Sequence, residues 1–321
     1  MDDDDGYNFS DSDSDDESCT PYGCLRSPDS DHPIFLEDLV HSPEGFYAAK
    51  IPDEYDLRTS DMQPRYQGQR GTCAAFTGAT IKEHHEIKDM LFKEYMSPEF
   101  LYYHRQNKPL QGMHAADMFR VLKKVGSVPE TIYPYGSTIE PTRAMYTIAK
   151  KYTIDQYARI RTIAGVKQAI LQFGPCYLAL PKYKTRPMFW RVSSDVIDQV
   201  YGHAVAIIGW TREGFIIKNS WGPKWNGDGY VIFPYIDWPL IWECWLCVDR
   251  TTSPKLNIGD SAVPVFIRPR SPIRRFVDWL RLKCTRRHAG SSDDISVDEI
   301  DEIIEQSEKT SMDGTRISSF V

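Results

Sequence analysis

A cysteine, a histidine and an asparagine follow one another along this chain in contexts suited to thiol-based acyl transfer. Cys73 lies in Gln67-Gly68-Gln69-Arg70-Gly71-Thr72-Cys73-Ala74-Ala75-Phe76. His203 lies in Gly202-His203-Ala204-Val205, and Asn219 in Lys218-Asn219-Ser220-Trp221-Gly222. A thiol at its ordinary pKa is mostly protonated at neutral pH, so it needs help to act as a nucleophile. A helix start at Cys73 and a nearby imidazolium both lower that pKa. His203 would supply the imidazolium and later protonate the leaving amine. Asn219 would accept the other ring N–H and fix the tautomer. Gln67, six residues before the thiol, can aim its amide at a developing oxyanion beside the backbone N–H of Cys73. Trp221 would cover the His–Asn contact. Singly, a buried Cys, a core His and a turn Asn are ordinary; in this order they specify a nucleophile, an acid/base and an orienting group.

These groups need elements to carry them. Thr72 reads as the N-cap of a helix over Cys73 to Leu91, with Phe76, Ala79, Ile87, Met90 and Leu91 on one side. Ala115 to Lys124 reads as a second helix, ended by Gly126. From about Pro175 the pattern changes to short apolar strands at 176–180, 203–210, 215–218 and 229–233, separated by Gly, Pro and charged turns. Helices first and strands later predict an α+β fold: a helical N-terminal lobe, an antiparallel sheet or barrel, and a cleft between them.

Charge divides the 321 residues into three parts. Residues 1–45 carry a net charge of −13, too high to fold alone. Residues 46–250 carry +6 and read as the catalytic domain; 251–321 form a C-terminal extension with no net charge. Within the extension, 266–288 is strongly basic, with Ile273, Phe276, Val277 and Leu280 on one helical face. Such a helix fits a membrane surface, a nucleic acid or the protein itself. Residues 293–308 turn acidic.

No stretch is long and apolar enough for a transmembrane span, and the acidic N-terminus is unlike a secretory leader. The seven cysteines are odd in number and sparse, which points to the cytosol or to a particle packaged from it. Cys244-Trp245-Leu246-Cys247 is a lone CxxC and reads as two core cysteines on an apolar strand. No cofactor or metal is implied.

The chain resembles the papain family of cysteine proteases over about residues 51–250, and in particular its members that lack a long propeptide and disulfides. The resemblance rests on Ile51-Pro52-Asp53-Glu54-Tyr55-Asp56-Leu57-Arg58, on Tyr133-Pro134-Tyr135, and above all on Ile217 to Gly222 with Trp225 and Gly229-Tyr230. It implies a papain-like two-lobe fold and the roles of nucleophile for Cys73, acid/base for His203, orienting group for Asn219 and oxyanion donor for Gln67. It also implies that Gly112 lines the cleft, that Ala204 joins a substrate-side-chain wall, and that Gly202 and Met113 lie at the substrate. Several features depart from the pattern. Ala74 replaces the family's Trp after the nucleophile, Arg70 stands where a half-cystine is usual, and Met113 replaces a cleft glycine.

Two further expectations come from charge. Glu83 on the apolar side of the Cys73 helix needs a partner, and Lys218 is the expected one. The acidic tail should dock on the basic domain in a salt-dependent way and shade the cleft. The combined expectation is an endopeptidase acting on protein or peptide substrates through an acyl-thioester on Cys73. An isopeptidase acting on a ubiquitin-like conjugate, or an inactive papain-fold binding or structural protein, is the alternative.

Overall fold

The computed structural model describes residues 23–28, 34–39, 50–59, 62–90, 94–183, 186–192 and 201–249. The basic 266–288 and acidic 293–308 segments lie outside them. The elements in chain order are β1 (Cys24–Leu25), α1 (Leu36–Leu39), β2 (Tyr55–Asp56), α2 (Cys73–Met90), α3 (Pro98–Tyr103), β3 (Met113–His114), α4 (Ala115–Lys124), α5 (Arg143–Ala149), β4 (Ile154–Ile160), α6 (Ile163–Phe173), β5 (Cys176–Lys182), β6 (Tyr201–Trp210), β7 (Gly214–Lys218), β8 (Tyr230–Pro234) and β9 (Glu243–Asp249).

The strands from β4 onward form one antiparallel sheet in the order β4-β9-β5-β6-β7-β8, with β2 added to β6. Alternation along the central strands splits their side chains between two cores. Tyr177, Ala179, Trp245 and Cys247 face α2 and α4, together with Met118 and Phe119. Cys176, Leu178, Leu180, Leu246 and Val248 face α6, together with Val166, Ile170 and Phe173. Both faces are covered, which is why β5, β6 and β9 are buried almost throughout.

The same alternation settles the CxxC. An offset of three on a strand sends the two thiols to opposite faces, so Cys244 joins one core and Cys247 the other. Both are free, and burial pushes both thiols up.

Helix α2 runs through the protein with little exposed surface. Its charged residues therefore need partners. Lys82 lies 2.6 Å from Glu86 and 2.5 Å from Asp249, the last residue of β9. Both carboxylates hold its ammonium charged against the cost of burial.

Residues 23–28 and 34–39 of the acidic N-terminus pack on the domain. They do not fold alone; they borrow the domain's core and hydrogen bonds. Leu36 is fully buried in the α6-side core. Glu37 accepts from the backbone N–H groups of Arg161 and Thr162 at 2.9 and 3.0 Å. Phe35 bridges β4 at Arg159.

Candidate active site

Cys73 is the first residue of α2 and is fully buried. The Thr72 carbonyl accepts the first helical bond, from Phe76 N at 3.0 Å. Its hydroxyl is not the expected N-cap. Thr72 Oγ1 pairs instead with Tyr135 Oη at 2.8 Å. Backbone N–H groups of Ala204, Ala74 and Cys73 favour the thiolate, but burial outweighs them and pushes the thiol up to about 11.

His203 arrives on β6 and is 2% exposed. Its Nε2 donates to Asn219 Oδ1 at 2.8 Å, which leaves Nδ1 for chemistry. The same Oδ1 accepts from Ser220 N at 2.8 Å and is thereby fixed. Trp221 stacks on the imidazole, with ring centres 4.4 Å apart and planes at 24°. Phe189 meets the ring edge-on at 5.1 Å. Burial among these rings, opposed by Asn219 and assisted by the Lys182 charge, pushes the imidazole down to about 3.

Gln67 is held from both ends of its amide. Ser220 Oγ donates to Oε1 at 2.6 Å, and Nε2 donates to the Arg70 carbonyl at 2.9 Å. An amide nitrogen carries two hydrogens, so a second donor remains on Nε2. The surrounding loop is tied by Tyr135, whose hydroxyl donates to the Gln67 carbonyl at 2.7 Å. Arg70 forms a two-armed ion pair with Glu99, at 2.5 and 2.9 Å. That pair stitches the place where the resemblance implied a half-cystine. Sequence reading quoted Ser220 and Tyr135 as motif residues without a role and did not single out Glu99 or Phe189, since their side chains act on distant segments.

Three of the four residues expected at the substrate, Met113, Gly202 and Ala204, meet one strand of the chain itself. Gly112 instead donates to Tyr102 Oη and accepts from Asn107 Nδ2, both at 3.1 Å. β1 pairs with β3 in parallel, Cys24 opposite Met113 and Leu25 opposite His114. Gly112 precedes this ladder at φ +83°, a conformation suited to glycine. The Met113 N–H donates to the Gly23 carbonyl at 3.2 Å. A Cβ at Gly202 would come within 2.0 Å of the Cys24 carbonyl oxygen, so only glycine lets the two backbones approach. Ala204, Cys73, Cys24 and Met113 share one core cluster. Farther along, Ser27 donates to the buried Glu243 through its N–H and its Oγ, both at 3.1 Å.

One expected pairing is corrected. Glu83 makes its ion pair with Arg65, not with Lys218, and also accepts from Met96 N at 3.0 Å. Lys218 donates to the Met62 carbonyl at 2.9 Å. Glu83 and Lys218 line the same small pocket, and the Glu83 charge only partly offsets the burial that pushes Lys218 down to about 8. Arg65 wins because it reaches Glu83, Glu130 and the Met96 carbonyl at once.

Among the described residues no cluster of His, Cys, Asp and Glu could hold a metal ion. No helix among them is long and apolar enough to cross a membrane.

Comparison with known proteins agrees with the resemblance. A model of the papain family cysteine proteases matches residues 51–235. Mouse cathepsin K is 28% identical over 225 residues, 65% of this chain and 66% of its own, so the chain spans just under two thirds of that relative. An uncharacterized peptidase C1-like protein of Acanthamoeba polyphaga mimivirus is 26% identical over 64% of this chain and 77% of its own. Among solved structures, xylellain, a cysteine protease from Xylella fastidiosa, superposes with a TM-score of 0.61 over 72% of this chain and 97% of its own, at 23% identity. The helical lobe, the antiparallel sheet and the family model over more than half of the residues lead to one conclusion: the chain belongs to the papain family of cysteine proteases.

Proposed function

We propose that the protein is a cysteine endopeptidase that hydrolyses peptide bonds through an acyl-thioester on Cys73. The observation that carries this reading is the His203 Nε2–Asn219 Oδ1 bond under Trp221, with Cys73 at a helix start packed against the residue after His203.

The Cys73 thiol gives its proton to His203 Nδ1, and the sulfur attacks the substrate carbonyl carbon. The carbonyl oxygen becomes an oxyanion, received by the backbone N–H of Cys73 and by Gln67 Nε2. The C–N bond breaks as His203 returns the proton to the leaving amine. Water, deprotonated by the same imidazole, then cleaves the thioester and restores the thiol. Asn219 keeps the imidazole in the required tautomer throughout. Ser220 is a positioning residue: its hydroxyl donates to Gln67 Oε1 and so fixes which end of the side-chain amide is the donor. A substrate would lie along Gly112–Met113 and Gly202–Ala204, where β1 lies now.

The five buried cysteines among the described residues are free thiols. They support work in a reducing compartment, the cytosol or the interior of a virus particle.

Incubation with an unfolded protein tests the reading. The native chain, and a Gly23→Val variant whose added side chain would clash in the cleft, should generate fragments. Cys73→Ala should generate none. No fragments from the Gly23→Val protein, or equal cleavage by Cys73→Ala, would overturn the proposal.

A further inference from the structure

We propose that Lys182 is a specificity-determining residue: it selects substrates with an acidic side chain, Asp or Glu, directly after the scissile bond. The proposal rests on the peptidase reading and names the substrate class that the same site would prefer.

Three features carry it. First, the two faces of the β5–β6 ladder divide a substrate between them. Directly opposite residues share a face, and alternate residues along a strand return to it. Ala179 lies opposite Ala204, and both join the core that faces α2 and α4. Met113 belongs to the same core, and the acyl half of a substrate would lie on this side. His203 lies opposite Leu180, so Lys182, two residues on, emerges on the histidine's face. His203 protonates the leaving amine, so the leaving half departs across that face.

Second, the ammonium group stands beside the reacting groups. Lys182 is the last residue of β5 and is half-buried. Its Nζ lies 5.5 Å from the centre of the Trp221 ring, the ring that stacks on His203. Burial dominates the shifts at Cys73 and His203, and the Lys182 charge bears on both. A charge close enough to act on the thiol and the imidazole is close enough to meet the first residue beyond the scissile bond.

Third, the support is fixed. Tyr183, the next residue, donates its N–H to the Phe189 carbonyl at 2.9 Å, and Phe189 packs on both His203 and Trp221. Tyr66, the neighbour of Gln67, is 65% exposed and bridges to Trp221. Lys182 therefore projects from an anchored strand over an anchored indole.

A bound substrate would exclude water from this half-buried ammonium. A carboxylate in contact with it offsets the lost solvation and gains a charge-assisted hydrogen bond. A lysine or arginine in that place meets like charge. The leaving half of an endopeptidase substrate continues as chain, so the carboxylate is a side chain rather than a terminus.

The test begins with the fragments of an unfolded protein, whose sequences locate the cleaved bonds. Peptides around one such bond, blocked at both ends, then carry Glu, Gln or Lys directly after it. The enzyme is the full-length Gly23→Val chain. A Cβ at Gly23 would fall 3.0 Å from the Cys73 sulfur and 2.7 Å from the Gly202 carbonyl oxygen, so the added side chain displaces β1. The kcat/KM should be about 10-fold higher for Glu than for Gln, the scale of one half-exposed charge-assisted hydrogen bond, and lowest for Lys. Lys182→Met should level Glu and Gln, and Lys182→Glu should reverse the order of Glu and Lys. Each ratio compares substrates in one preparation, so a partly misfolded variant does not distort it.

Equal kcat/KM for Glu and Gln before Lys182 is changed would overturn the proposal and leave the peptidase intact. So would a Glu preference that survives Lys182→Met while turnover of all three peptides falls together; Lys182 would then act on the Cys73–His203 pair. No fragments from the unfolded protein would overturn the peptidase reading itself.

Discussion

Replacing His203 by alanine in the Gly23→Val background is expected to lower kcat/KM by about 10²- to 10⁴-fold, the range for loss of a positioned acid/base. The pH dependence of Cys73 alkylation should change with it. In the closed cleft, burial pushes the thiol up to about 11 and the imidazole down to about 3. Burial thus favours the neutral form of each group, against the ion pair that catalysis needs. Opening the cleft readmits water, so the thiol pKa falls and the imidazole pKa rises. The open protein with His203 should then alkylate well below pH 7, because the imidazolium stabilises the thiolate. Without His203 the rate should climb only toward the ordinary thiol range near 8.5. Identical profiles with and without His203 would separate the histidine from the nucleophile.

Arg65→Ala is expected to destabilise the protein by about 3–5 kcal/mol, the cost of leaving a buried carboxylate unpaired. Glu83 is 1% exposed at its side chain, and Arg65 is its ion-pair partner. Adding Glu83→Gln to Arg65→Ala should recover part of the loss, since the stranded group is then neutral. Urea unfolding measures both. A single substitution costing under about 1 kcal/mol, as surface pairs do, would return the burden to Lys218.

Much of this arrangement was legible in the chain, for identifiable reasons. Helix α4 matches its expected span because its apolar spacing and Gly126 are local signals. The strands at β5 to β8 were marked by apolar runs between turn residues. Helix α6 was overlooked, although Thr162 caps it and Gly174 ends it at positive φ. The order Cys73, His203, Asn219 is readable because papain-like chemistry fixes residue types; the structure adds how these residues pack. Partner choice was not readable. Glu83 signals only that a buried acid needs a cation, and several were available; geometry selected Arg65. The β1 strand was least visible. Nothing local in an acid-rich stretch says that Gly23 fits against a sulfur, or that Ser27 meets a glutamate from the last strand of the sheet.

The Lys82–Glu86–Asp249 cluster also bears on where the protein can be cut. Asp249 is the final residue of β9, and its carboxylate reaches the middle of the helix that begins at Cys73. Removing everything after Asp249 would leave this contact intact; ending one residue earlier would strand a buried ammonium with a single counterion. The charge balance around Lys82 therefore extends beyond the end of sequence similarity at residue 235. Any fusion, protease site or truncation meant to isolate the C-terminal extension belongs on the far side of Asp249.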